Sequence, residues 1–165
     1  MSTIVTALPS KDIGLQEETK STIGHELNGV LADTWFLRLK TQNFHWNGTG
    51  PQFYSFHKLT EAQYKELDEA ADEIAERVRA LGYPVPGTHA SFGKLSRIRE
   101  EEKLSNIQEM ILILVQDHLK VIRAARDVAT AAESAGDQAS VDLLARRIGA
   151  HEKAAWMLRS ILGQN

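Results

Sequence analysis

Gly82-Tyr83-Pro84-Val85-Pro86-Gly87 lies midway along the chain and decides how its helices are joined. Gly82 is placed to close a helix at its C′ position, and Pro84 and Pro86 keep the residues before them extended, so no helix runs through. Upstream, Phe53, His57, Thr60, Tyr64, Leu67, Ala71, Ile74, Val78 and Leu81 keep a spacing of three and four that predicts a packed helix over about 52–81. Before it, Asn47-Gly48-Thr49-Gly50-Pro51 reads as a tight turn whose proline suits the start of a helix. Ile23, Leu27, Val30, Leu31, Thr34, Leu37 and Leu39 predict a first helix to about Trp46, starting at Glu17 or Glu18, whose charge suits the positive end of the dipole.

Downstream of Gly87, residues 88–103 form a crossover with room for one short helix around Ser91 to Ile98. Ser105-x-x-Gln108 matches a capping box, and Ile107, Ile111, Leu114, Val115, His118, Ile122, Ala125 and Val128 carry a third long helix to about Ser134. Gly136 ends it, and Asp137 is placed to cap a fourth containing Val141, Leu144, Ile148, Trp156, Leu158, Ile161 and Leu162. Two short links around one long one predict an all-α, up-down-down-up four-helix bundle with ferritin-like connectivity and a short helix in the crossover. Residues 1–16 lack periodicity and read as a flexible tail ahead of a single bundle domain over 17–165.

Composition narrows the chemistry. The 165 residues include no cysteine, which excludes disulfides, thiolate metal sites and cysteine nucleophiles, and leaves histidine and carboxylates for any redox role. The formal charge of −3 gives no overall cationic excess for holding nucleic acid. The longest apolar run, Met110 to Val115, is too short to span a membrane, and the N-terminus has no signal-peptide pattern, so a cytoplasmic protein is expected.

An intrachain di-iron site of the usual bundle type needs Glu-x-x-His on two helices. None of the six histidines has glutamate three residues before it. The second helix instead carries two i, i+4 pairs, His57 with Glu61 and Asp72 with Glu76. They lie fifteen residues apart, so roughly 22 Å of helix separates them and one chain cannot bring both to one metal. Two such helices packed antiparallel about a two-fold axis near residues 66 and 67 would set His57 and Glu61 against Asp72 and Glu76 of the partner subunit. His45 can join His57 from the same chain. The set of two imidazoles and three carboxylates suits Fe(II), with Zn, Mn and Co as substitutes. Glu66, Asp68, Glu69 and Glu73 read as a solvated face. His25, His89, His118 and His151 receive no metal role, and His118 is expected to hydrogen-bond within the bundle or an interface.

His45-Trp46-Asn47, then His57, Glu61, Asp72, Glu76-Arg77 and Ala80-Leu81-Gly82 resemble the Dps family, the DNA-binding proteins from starved cells or mini-ferritins. Val115-Gln116-Asp117-His118-Leu119 and His151-Glu152-Lys153-x-x-Trp156-Met157-Leu158 extend the likeness over roughly residues 17–162. The resemblance implies a hollow homo-dodecamer with a two-iron ferroxidase centre shared between two subunits. Such centres oxidise Fe(II), preferentially with hydrogen peroxide, store ferric mineral and so protect DNA. It also implies that Trp46 lies near the iron and that Asp142, with Asp137, lines a three-fold pore. The carboxylate after the second histidine is often Asp in the family and is Glu61 here. The DNA-binding part of the family name finds little support: residues 1–20 hold Lys11 and Lys20 against Asp12, Glu17 and Glu18, so DNA binding is expected to be weak. The competing reading is a nucleoid DNA-binding protein with a vestigial metal site.

Overall fold

The computed structural model describes residues 12–103 and 106–163, and within these it forms five helices and no strand. α1 (Glu17–Asn47) and α2 (Phe53–Ala80) make one hairpin; α4 (Ile107–Ser134) and α5 (Gln138–Ile161) make the other. The hairpins pack α1 on α4 and α2 on α5, and the short α3 (His89–Leu95) lies in the crossover against α1. This is the ferritin-like bundle that the link lengths predict. Most of the predicted tail, residues 1–11, lies outside the described residues.

The core is built from the apolar faces of all four long helices: Leu27, Val30 and Leu37 of α1, Leu67, Ile74 and Val78 of α2, Met110, Ile111 and Leu114 of α4, Leu144 and Leu158 of α5. Truncating one such leucine to alanine costs about 2–5 kcal/mol, since a cavity adds to the lost transfer energy. Trp156 departs from the predicted stripe and lies 54% exposed on α5.

Helix ends differ from the sequence reading in two places. Asn106 caps α4, its Oδ1 accepting from the backbone N–H of Glu109 at 2.9 Å. Ser105 of the predicted capping box lies outside the described residues. α3 begins two residues before Ser91 because Thr88 caps it, accepting from the Ser91 N–H, and it stops at Leu95, short of Ile98. The stop has a distant cause. The fully buried carboxylate of Asp33, on α1, accepts from the backbone N–H of Arg97 at 2.5 Å, the Arg97 guanidinium at 2.8 Å and the Ser96 hydroxyl at 3.1 Å. These bonds pin the crossover across α1, and Phe92 packs on Trp35 with ring centroids 5.8 Å apart.

Candidate metal centre

The turn between α1 and α2 sets how closely the two helices approach. Gly50 adopts φ +117°, a conformation open to glycine. Gly48 has an ordinary φ, yet a Cβ there would meet the Phe56 ring at 2.9 Å, so its lack of a side chain lets the start of α2 close over the end of α1. Phe44 and Phe56 are fully buried beneath the turn.

That closure stacks His45 on His57, with ring centroids 3.8 Å apart and planes 20° from parallel. Each Nδ1 lies against the other residue's carbonyl: His45 Nδ1 is 2.9 Å from the His57 oxygen, and His57 Nδ1 is 3.1 Å from the His45 oxygen. A carbonyl only accepts, so both Nδ1 atoms carry a proton, and the neutral form of each ring has its lone pair on Nε2. The carbonyl of His45 is available because it lies in the last turn of α1, where intrahelical donors run out. Tyr64 meets His45 edge-on at 5.2 Å and Phe53 leans on His57 at 5.0 Å, so the pair is held between aromatic rings. Metal-ligating histidines are commonly oriented by a hydrogen bond at the nitrogen that does not bind. Here two rings orient one another.

Glu61 sits one turn beyond His57. Lys65 at 2.8 Å and Lys58 at 3.1 Å hold its carboxylate, and their hydrogen bonds and charge pull its pKa down to about 2. It is therefore anionic at any physiological pH. The lysines are exposed, and solvent screens surface pairs of this kind, so a cation can displace them.

Asp72 and Glu76 are exposed farther along α2 and make no ion pair among the described residues. Their acidic neighbours are engaged: Glu66 with Arg147, Asp68 with Arg38 at 3.1 Å, and Glu73 with Arg146 at 3.1 Å. The expected solvated face thus includes three carboxylates that tie α2 to α1 and α5. Among the described residues no three His, Asp or Glu side chains converge on a metal position within the one chain. The structure brings His45 and His57 together with Glu61 one turn on, and it leaves Asp72 and Glu76 apart from them.

A ferritin-like domain model matches residues 25–165. The "DNA protection during starvation protein" of Porphyromonas gingivalis is 34% identical over 88% of this chain and 91% of its own length. The chain belongs to the Dps family of ferritin-like proteins. An uncharacterized low temperature-induced protein of Nostoc is 40% identical over 94% of the chain and 88% of its own length. The Dps crystal structure from Vibrio cholerae, described as a member of the ferritin-like diiron-carboxylate superfamily, superposes with a TM-score of 0.88 at 27% identity, covering 95% of this chain and 99% of that one. The Dps of Bacillus brevis gives a TM-score of 0.85 at 30% identity, over 88% and 97%.

Three further residues of this Dps chain have distinct surroundings. Trp46, beside His45, is 63% exposed and borders a cleft with Lys40, Asn43 and the crossover residues Arg99 to Glu102. Asp142 is exposed and bound to Arg146 of its own helix. Asp137 is only 2% exposed: it caps α5 through the Ser140 N–H at 3.1 Å and holds Arg77 at 2.6 Å. Its carboxylate is committed to the fold. Lys58 and Lys65 are the partners that sequence reading misses, although their positions three residues before and four after Glu61 carry the signal of an ion pair.

Proposed function

We propose that this chain is the subunit of a mini-ferritin that oxidises Fe(II) at sites shared between two protomers. His45, His57 and Glu61 of one protomer and Asp72 and Glu76 of the partner subunit form the ligand set, and iron is the substrate. The observation that carries this reading is the reciprocal Nδ1 lock of His45 and His57, which prepares two Nε2 lone pairs. Asp72 and Glu76, which like Glu69 make no ion pair among the described residues, support the second half of the site by their i, i+4 spacing on α2.

Two ferrous ions each give up one electron to a single hydrogen peroxide, which takes two protons and leaves as two water molecules. No electron is left to generate hydroxyl radical, and that is how such an activity protects DNA. Trp46 serves as a nearby sink for stray one-electron oxidants. Ferric product is stored in the interior of a closed homo-oligomer, a dodecamer by family likeness, in the cytoplasm. Asp142 draws cations toward a pore by its field. DNA coating is the weaker reading, since Lys20 is already paired with Glu17 at 2.6 Å.

Mixing Fe(II) with peroxide under stopped flow and following ferric absorbance tests the proposal. His57→Ala should slow oxidation by more than about 100-fold while the oligomer keeps its size, and equal rates would overturn the assignment.

A further inference from the structure

A second histidine pair lies inside the bundle, away from the α1–α2 turn. His118 of α4 and His151 of α5 are each 1% exposed, and their Nδ1 atoms are 2.9 Å apart. Both Nε2 atoms are buried without a hydrogen-bond partner. The surrounding charges are already paired. Arg147, one turn before His151 on α5, holds Glu66 of α2; Asp117, beside His118 on α4, holds Lys40 of α1 at 2.5 Å and Lys120 at 2.7 Å. Gln63 of α2 reaches the Ala154 carbonyl at 3.3 Å, so a polar layer crosses the bundle at this level.

A metal is a poor occupant, because two imidazoles are too few ligands and the Arg147 cation lies close by. A proton is the better fit. At 2.9 Å one Nδ1 must donate to the other, so one ring is protonated at Nδ1 and its mate at Nε2. The first added proton goes to the free Nε2 of the donor ring and leaves the hydrogen bond intact. The second puts N–H groups face to face at that distance, and the bond is lost.

We infer that His118 and His151 form an acid-released latch between α4 and α5, closed while the pair shares its proton and opened when both rings are charged. Burial is the main reason the pair stays neutral: it pushes His118 down to about 4, where Asp117 opposes and Arg147 assists, and it pushes His151 well below the ordinary histidine value, with His118 and Arg147 adding to the effect. The unfolded chain therefore takes up protons before the folded one. Stability from the latch is complete above about pH 6.5 and is lost as pH falls toward 4.

The test uses the full chain in its native assembly. Hydrogen–deuterium exchange at the imidazole carbons, read by mass spectrometry over pH 4–8, should show His118 and His151 slow and untitrated above about pH 5, with the exposed His25 and His89 exchanging faster. Ordinary titration of the buried pair near 6.5 would overturn the latch. In parallel, urea midpoints are compared between wild type and the double variant His118→Asn/His151→Asn, which keeps a polar pair without a titrating ring. Between pH 6.5 and 4 the wild-type folding constant should fall by an additional tenfold to hundredfold per pH unit, for one to two extra protons. The same pH dependence in both proteins would overturn the latch. If the double variant does not fold, the exchange result decides.

Discussion

Two histidine pairs join neighbouring helices in this chain, and they are wired in opposite ways. His45 and His57 turn each Nδ1 onto the other's backbone carbonyl, which fixes those protons and leaves both Nε2 atoms outside the lock. His118 and His151 turn Nδ1 onto Nδ1, which couples the two protons and buries both Nε2 atoms. On the proposed reading the same side chains give a metal-binding edge at the bundle's α1–α2 turn and a neutral tie in its core. What differs is the acceptor each Nδ1 meets. In the outer pair these are the carbonyl of His45, left free near the end of α1, and the carbonyl of His57, which accepts through its second lone pair from within α2; in the core each Nδ1 meets the other ring.

Mutating one member of each pair should separate the two roles. His57→Ala has the largest expected effect on iron oxidation, more than about 100-fold, and a small effect on thermal stability, since His57 is only partly buried. His151→Ala should do the reverse. It strands the His118 imidazole beside a cavity and costs about 3 kcal/mol by urea denaturation, while oxidation per folded chain stays within about twofold of wild type. If His151→Ala lowered the oxidation rate as severely as His57→Ala, the division between the pairs would fail.

Much of the fold is legible because helix spacing and link length are local. The four long helices start and stop within about two residues of the positions that Glu17, Gly48, Leu81, Gly136 and Asp137 signal. The end of α3 is not legible, because it depends on Asp33, more than sixty residues away in sequence, and no local pattern announces that bond. The candidate site is legible as residue types: His45, His57, Glu61, Asp72 and Glu76 stand out by spacing alone. Its wiring is not, because the lock depends on the close approach at Gly48 and on which carbonyls a helix terminus leaves free. The paired state of Glu66, Asp68 and Glu73 is hidden for the same reason, their arginines lying on other helices.

Gly48 offers another way to tell the pairs apart, because only the outer pair depends on it. Gly48→Ala forces the Phe56 ring away from 2.9 Å contact and should cost about 1–3 kcal/mol as overpacking. It should weaken metal binding at His45 and His57, measured by calorimetry with Zn(II) or Co(II), and leave exchange at His118 and His151 unchanged. Equal affinity would mean that the turn does not position the rings. A smaller effect is expected at Glu61. Lys58→Gln/Lys65→Gln removes the cations competing for its carboxylate and should tighten metal binding a few-fold, with little change in stability. Its carboxyl pKa should then rise toward the ordinary value, so its charge would be lost at a higher pH on acidification, a shift measurable by NMR or infrared titration. Unchanged affinity would place Glu61 outside the ligand set.

Neither protomer, on this reading, owns a complete site, and complementation tests that most directly. His57→Ala chains and Asp72→Ala/Glu76→Ala chains are assayed separately, then unfolded together and refolded as an equal mixture. Each alone should be nearly inactive toward Fe(II) and peroxide. In the mixture half the dimers pair unlike chains, and each such dimer has one intact site out of two, so the rate should recover to about a quarter of wild type. A co-assembled mixture as inactive as its parents would contradict a site built across two protomers.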